Sequence, residues 1–322
     1  MTYALLYGET NYLSKKEITE RINIMNNKQD FKSGFVSIVG MANVGKSTLL
    51  NQIAGQKIAI ISDKPQTTRN KILAIYTNDE EQIIFTDTPG IHTPRTKLGE
   101  FMVKTANDSM NETDVIVFVA DASTGIQPLE ETIAKSIEKS GVPCILVLNK
   151  TDTIKKDMLL PVIADYSSLC DFEAIIPISA KSGDGIEILL NNIRQYIKPG
   201  PQYYYDDMIT DQPEKQLAAE IIREKMLRLL DKEVPHGIVI EIEKMKEREN
   251  ITEICASIFC EKASHKGIII GKGGEMLKKI GSLAREEIEE MLDKKVYLQL
   301  WVKVKTDWRN NNSLIKNFGF EQ

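Results

Sequence analysis

Cysteine and histidine are scarce here, with four of the first and three of the second among 322 residues. Cys144, Cys170, Cys255 and Cys260 form no C-x-x-C pair, and no histidines stand at ligand spacing beside them. That argues against a zinc site or a disulfide framework and for free or buried thiols in a reducing compartment. Long apolar runs are also missing. The stretches 115–120 and 144–148 are strand-sized, far short of the roughly 20 residues that span a bilayer. The first seven residues lack the basic n-region of a secretory signal, so a cytoplasmic protein is expected. Nor is there an excess of basic charge: the net charge is −5, and any nucleic-acid site must be a local patch. The 42% hydrophobic and 27% charged content is that of a folded chain with room for two domains.

What is present is organised around Gly40-Met41-Ala42-Asn43-Val44-Gly45-Lys46-Ser47, which fits G-x-x-x-x-G-K-[ST]. The apolar run 35–39 leads in as a strand, and Thr48 continues into a helix that stops near Gly55. Glycines let backbone N–H groups turn around a phosphate, and the helix N-terminus adds its positive dipole end. Lys46 then reaches the β- and γ-phosphates, and the Ser47 hydroxyl suits Mg²⁺. The alternative, a glycine-containing surface turn, fits neither the flanking strand and helix nor the Lys-Ser pair.

Short Ile/Val-rich runs at 35–39, 72–76, 82–86, 115–120, 144–148 and 174–178 alternate with helix-length segments at 98–111, 127–139, 155–168 and 185–197. The rhythm predicts an α/β fold, a mostly parallel sheet with helices on both faces, whose ligands sit beyond the carboxyl ends of the strands. Three more motifs fall at such ends. Asp87-Thr88-Pro89-Gly90, with Ile91 after it, suits a carboxylate near Mg²⁺ and a Gly90 N–H facing a third phosphate; alone it is a turn. Asn149-Lys150-Thr151-Asp152 offers the Asp152 carboxylate to the two N–H groups of guanine, the Lys150 stem to the purine face, and Asn149 as a tie to the phosphate loop. Ser179-Ala180-Lys181 offers the Ala180 N–H to the guanine carbonyl. The four motifs in this order point to GTP. The polar loop 62–70 is the candidate switch, with Thr68 favoured over Thr67 to close on Mg²⁺. His92 reads as an exposed switch-loop residue rather than a general base.

Residues 1–33 carry little signal: 14–26 has a capping-box start and helical spacing, and either Met1 or Met25 could initiate. The expected divisions are an extension at 1–33, a nucleotide domain at 34–199, a linker at 200–213, a second domain at 214–306 and a tail at 307–322. Tyr203, Tyr204 and Tyr205 in the linker suit either base stacking or domain docking. The second domain reads helix, strand, strand, helix, loop, helix, strand, with Gly271-Lys272-Gly273-Gly274 as the loop. That order and a G-x-x-G loop fit a KH domain gripping single-stranded RNA. Lys266, Lys272, Lys278 and Lys279, with Lys262, supply the local basic rim.

The nucleotide motifs resemble those of translation-factor-related GTPases. Ile91 stands where many GTPases carry a water-orienting glutamine, which is similar to a subgroup with a hydrophobic residue there. In related members an asparagine at the Asn43 position helps bind K⁺ in place of an arginine finger. Gln66-Thr67-Thr68-Arg69, Val234-Pro235-His236, the block 267–281, Leu300-Trp301-Val302-Lys303-Val304 and Asp307-Trp308-Arg309 together resemble the Era family of bacterial ribosome-assembly GTPases, over about residues 31–320. Met41-Ala42 departs from the proline that the family usually has before Asn43, and residues 1–30 match nothing. The resemblance implies a GTPase domain followed by a type II KH domain. It implies hydrolysis of GTP to GDP with Mg²⁺, Lys46, Asn43, Thr68 and Gly90 carrying the chemistry. It also implies a monomer that binds 16S ribosomal RNA near its 3′ end in small (30S) subunit maturation, and peripheral contact with the inner face of the cell membrane. Two other classes remain open: an RNA-binding regulator that senses GTP without hydrolysing it, and a GTPase of transfer-RNA modification. The second would bring catalytic cysteines or a further domain.

Overall fold

A computed structural model describes residues 31–62, 64, 66–232 and 234–320. The helix expected over 14–26, the choice between Met1 and Met25, and residues 63 and 65 of the switch loop lie outside the described residues.

The first domain runs β1 (Lys32–Val39), α1 (Lys46–Ala54), β2 (Ile72–Thr77), β3 (Glu81–Asp87), α2 (Lys97–Asn111), β4 (Val115–Asp121), α3 (Pro128–Ser140), β5 (Cys144–Asn149), α4 (Lys156–Ser167), β6 (Ala174–Pro177), α5 (Ile186–Ile193) and β7 (Lys198–Pro199). The sheet order is β2-β3-β1-β4-β5-β6, with only β2 antiparallel to its neighbour along that path. Both faces are covered, which is why the strands are unbroken apolar runs. Period-two alternation sorts their side chains. Val115, Val117 and Val119 enter one core with Leu49 and Leu190, while Ile116, Phe118 and Ala120 enter the other with Met110 and Ile137. Strand order reverses at β1, so the crevice above β1, β3 and β4 is where a ligand belongs. β7 pairs antiparallel with the start of β1, Lys32 opposite Pro199.

The connection at 200–213 is bound to the first domain. The Gln82 side chain accepts from the Tyr203 and Tyr204 amides (2.8 and 2.9 Å) and donates to the Tyr204 carbonyl (3.0 Å). Tyr203 also packs on Phe35, with ring centroids 5.1 Å apart.

The second domain comprises α6 (Glu214–Leu229), β8 (Val239–Glu247), β9 (Ile251–Cys260), α7 (Ala263–Ile270), α8 (Glu275–Leu292) and β10 (Lys295–Val304). Its sheet is β10-β9-β8, with β10 parallel and β8 antiparallel to β9. The expected α/β GTPase fold and KH domain are both present. α6 departs from a simple amphipathic helix. Arg223, Glu224 and Lys225 are buried along with Ile222 and Met226, because its far side faces the first domain. The tail forms a 3₁₀ turn at Trp308–Asn310 and α9 (Asn312–Asn317). Trp308, Ile315 and Phe320 join Leu98 and Met102 of α2 and Val239 and Phe259 of the KH sheet in a separate core between the domains.

Candidate functional site: a phosphate-loop cleft and a G-x-x-G loop

The phosphate loop leaves β1 at Gly40 and enters α1 at Lys46. Gly40 and Gly45 have φ of 148° and 100°, and a Cβ on Gly45 would sit 2.2 Å from the Asn149 Nδ2. The loop thus needs glycine where another strand's side chain presses on it. Lys46 is buried and folds over the loop, its Nζ donating to the carbonyls of Gly40 (3.2 Å) and Met41 (2.8 Å). Burial lowers its pKa, opposed by Asp87. A cavity of about 310 Å³ opens here, lined by Asn43, Gly45, Lys46, Ser47, Thr48, Thr67, Thr68, Gly90 and Lys150 among others.

Three oxygens converge beside Lys46. The Ser47 hydroxyl donates to Asp87 Oδ2 at 2.7 Å, the Thr68 hydroxyl reaches the same oxygen at 3.2 Å, and the two hydroxyls lie 2.9 Å apart. Asp87 is fully buried, and its Oδ1 has no hydrogen-bond partner among the described residues. Burial raises the Asp87 pKa, against Lys46 and the two hydroxyls. A buried carboxylate with an unpaired oxygen and two hydroxyls is a hard-oxygen donor set that fits Mg²⁺. The Thr67 hydroxyl instead donates to the Lys64 carbonyl at 2.6 Å.

The 88–92 segment lies alongside the phosphate loop. Ile91 N–H donates to the Gly40 carbonyl (3.2 Å), and a Cβ on Gly90 would come within 2.8 Å of Ala42 Cα. Thr88 donates to the Ile38 carbonyl at 2.9 Å, and Pro89 is buried. The Ile91 side chain turns into the core with Val39, Ala106 and Met110. His92 differs from the exposed residue expected. It is half-buried, with Nδ1 2.8 Å from the Gly90 carbonyl and Nε2 3.1 Å from Gln66 Nε2, so it ties the two switch segments together.

At the other end of the cleft, Asn149 donates to the Val44 carbonyl (2.8 Å) and accepts from the Ala180 N–H (2.9 Å). The Ala180 amide is therefore engaged within the protein rather than presented to a guanine carbonyl; a buried N–H takes the nearest acceptor. Ser179 donates to Asp152 Oδ1 at 2.7 Å, leaving Asp152 exposed but oriented. Thr151 is pinned to the Ile178 carbonyl through both N–H and hydroxyl, and Lys181 is exposed. Lys150, at φ 65°, donates to Asp121 Oδ2 at 2.6 Å. Burial tends to raise the Asp121 carboxyl, but Lys150 and Ser123 outweigh it and hold it below its ordinary value. Asp121 is the residue that sequence reasoning missed. Its only signal was a carboxylate at the end of a strand otherwise wholly apolar.

In the KH domain, Gly271, Gly273 and Gly274 all have positive φ (75°, 62° and 83°). A Cβ on Gly271 would meet Met276 Cβ at 2.7 Å, whereas Gly273 and Gly274 face open space, which allows a backbone close approach. Lys262, Lys266, Lys272, Lys278 and Lys279 are exposed around this loop, and Ile268 is 49% exposed beside it.

Comparison with known proteins finds relatives that contain both domains. A family model described as a 50S ribosome-binding GTPase matches residues 35–150, and one described as a KH domain matches 233–309. GTPase Era of Ruminiclostridium cellulolyticum is 56% identical over 292 residues, 90% of this chain and 98% of that protein. GTPase Era of Clostridioides difficile is 54% identical over 293 residues, 90% and 99% of the two chains. Among solved structures, Aquifex aeolicus Era bound to GDP·AlF₄⁻ superposes with a TM-score of 0.88 at 42% identity, covering 91% of this chain and all of that one. An Era complex with MgGDPNP and nucleotides 1506–1542 of 16S ribosomal RNA has the same score, identity and coverage. With a triphosphate cleft, a guanine-type loop and a G-x-x-G module in one chain, and relatives matched almost end to end, the chain belongs to the Era family of GTPases.

Proposed function

We propose that this chain hydrolyses GTP in its first domain and lets the nucleotide decide how the KH domain meets single-stranded 16S ribosomal RNA near its 3′ end, during 30S subunit assembly. One observation carries the proposal. Thr68 points into the nucleotide cleft, while its two neighbours are bonded to the KH domain. Thr67 offers its carbonyl to Arg223 of α6, and Arg69 donates to the carbonyls of Ile238 and His236, the latter at 2.8 Å. A ligand that moves Thr68 therefore moves the docking of the second domain.

Ser47, Thr68 and Asp87 would hold Mg²⁺, which neutralises charge developing on the phosphates when bound. Lys46 binds phosphate oxygens once it leaves the loop carbonyls, and the Gly90 N–H contacts the third phosphate. Asp152 and the Lys150 stem, aimed by Ser179 and Asp121, select guanine. Ile91 is turned into the core, so no side chain at that position orients the attacking water. Unassisted turnover is accordingly slow, on the order of 10⁻⁴ to 10⁻² s⁻¹. Asn43 lines the cleft in a left-handed conformation and is our candidate ligand for K⁺; equal hydrolysis rates in potassium and sodium would remove that role.

The central test is anisotropy of a labelled 16S 3′-end fragment with a non-hydrolysable GTP analogue, with GDP and without nucleotide. Affinity should depend on the nucleotide, and Gly273→Asp should cut it at least tenfold while nucleotide binding persists. RNA binding indifferent to both would reject the proposal. The protein is read as a cytoplasmic monomer that touches the inner face of the cell membrane. Among the described residues no helix is long and apolar enough to cross a membrane. Failure to co-sediment with lipid vesicles would dispose of the membrane contact.

A further inference from the structure

A second cavity, of about 300 Å³, lies at the seam between the domains and shares no lining residue with the nucleotide cleft. Arg69 of the switch segment and Arg223 of α6 both line it, and they are 4% and 3% exposed. Arg69 commits Nη1 and Nη2 to the Ile238 and His236 carbonyls. Arg223 commits Nε and Nη2 to Glu220 and the Thr67 carbonyl. Arg69 Nε and Arg223 Nη1 remain, buried and without a hydrogen-bond partner among the described residues. Gln212, at the end of the linker, lines the same cavity with both amide atoms unpaired among the described residues. Buried donors on charged groups are costly to leave unmade. Glu220, the carboxylate in the wall, is already bonded to Arg223, and Lys215 adds a further positive charge. Burial, with the neighbouring Arg223 charge next, pushes the Arg69 guanidinium down to about 9.

We infer that this seam cavity binds a phosphate-type oxyanion, held by one guanidinium N–H from each domain with the Gln212 amide as the third contact. Guanidinium donors match phosphate oxygens in charge and geometry. A protonated phosphate oxygen also gives Gln212 Oε1 the donor it lacks. The volume stands at the bottom of the range for small-molecule sites, so the cavity takes orthophosphate or a small phosphomonoester. Its donors belong to different domains, so the bound anion favours the docked arrangement over any that parts them. The inference stands independently of the RNA assignment.

The test uses the full chain saturated with Mg²⁺ and a non-hydrolysable GTP analogue, so that phosphate cannot enter the nucleotide cleft. Orthophosphate and ribose 5-phosphate are titrated by calorimetry against chloride of equal ionic strength, with nucleotide occupancy followed by absorbance in the same samples. The wild type should show saturable one-to-one binding of at least one of the two. Binding should be at least tenfold weaker in Arg223→Lys, which keeps the charge and loses the fork, and in Gln212→Leu. Saturation by one ligand and not the other identifies the source of the phosphoryl group. If Arg223→Lys does not fold, Gln212→Leu alone decides. No saturable heat in the wild type with nucleotide still bound, or the same response in all three proteins, overturns the inference and leaves only a general salt effect.

Discussion

Asn149 shows how single residues hold this cleft together. Its amide spans the phosphate loop at Val44 and the Ser179-Ala180-Lys181 loop at Ala180, and it presses so closely on Gly45 that no side chain fits there. In the function proposed above, base selection falls to Asp152, which Ser179 orients by one hydrogen bond. In Asp152→Asn the carboxylate that accepts from both guanine N–H groups becomes an amide that offers a donor to one of them. GTP affinity should fall roughly 10- to 100-fold, from the loss of about 1.5–3 kcal/mol for hydrogen bonds to a charged group. Xanthosine triphosphate, which carries a carbonyl in place of the amine, should gain. Competition binding with the two nucleotides measures this, and an unchanged ratio between them would sink the assignment. The residues of the cleft are legible in the sequence because each motif is contiguous and sits where a strand ends. Asp121 is not. Its part is defined by Lys150, 29 positions away, and no spacing rule links the two.

Among the elements, α6 and the tail say most about what a linear reading loses. The apolar positions of α6 are visible in the sequence, but nothing there marks Arg223, Glu224 and Lys225 for burial. They are buried because the helix lies between two domains, and nothing local signals a partner some 160 positions distant in the chain. The tail is legible only as residues that resemble a family block. In the structure Trp308 is fully buried, donates from its indole N–H to the Gly237 carbonyl at 2.9 Å and stacks on Phe320. The Arg69 guanidinium lies 5.9 Å from its ring centroid. Trp308→Ala therefore removes a large buried ring and a polar contact together. Chemical unfolding should report a loss of about 3–5 kcal/mol. Protease sensitivity of 307–320 should rise in step, since Trp308 is the largest fully buried side chain of the core that Ile315 and Phe320 join. A loss below about 1 kcal/mol, small for a buried ring, would mean that the core between the domains contributes nothing to docking.

The whole molecule is joined by a charged seam as well as an apolar one. Glu224, fully buried, accepts from Lys57 of the first domain, from the Ile61 N–H (3.2 Å), and from Lys225 (3.1 Å) and Arg228 (2.8 Å) on its own helix. Burial works to raise its pKa, and hydrogen bonds from Lys57 and Ile61, with Lys225 nearby, outweigh it, so the folded value lies below the ordinary 4.5. The sign follows directly. A carboxyl with a depressed folded pKa stabilises the docked form above its unfolded value, and that stability is lost as pH falls through the folded one. Below about pH 4.5 wild-type stability should therefore fall faster than that of Glu224→Gln, and above it the difference between them should be flat. Parallel denaturation curves across that range would show that the network does not couple the domains. The parallel sheet, its order of elements and the KH order are legible because each needs only local periodicity and turn chemistry. The seam is not, because its charges are ordinary surface residues until a second domain covers them.

The pairing of Lys32 with Pro199 carries a consequence for how such a molecule can be built. The backbone enters and leaves the nucleotide domain at one spot on the rim of the sheet. A cassette whose two ends touch can be spliced into a host loop without stretching either, or have its ends fused and be cut open elsewhere. Grafting 32–199 into an exposed turn of an unrelated carrier should yield a self-sufficient nucleotide binder, freed from whatever the rest of the chain imposes on it.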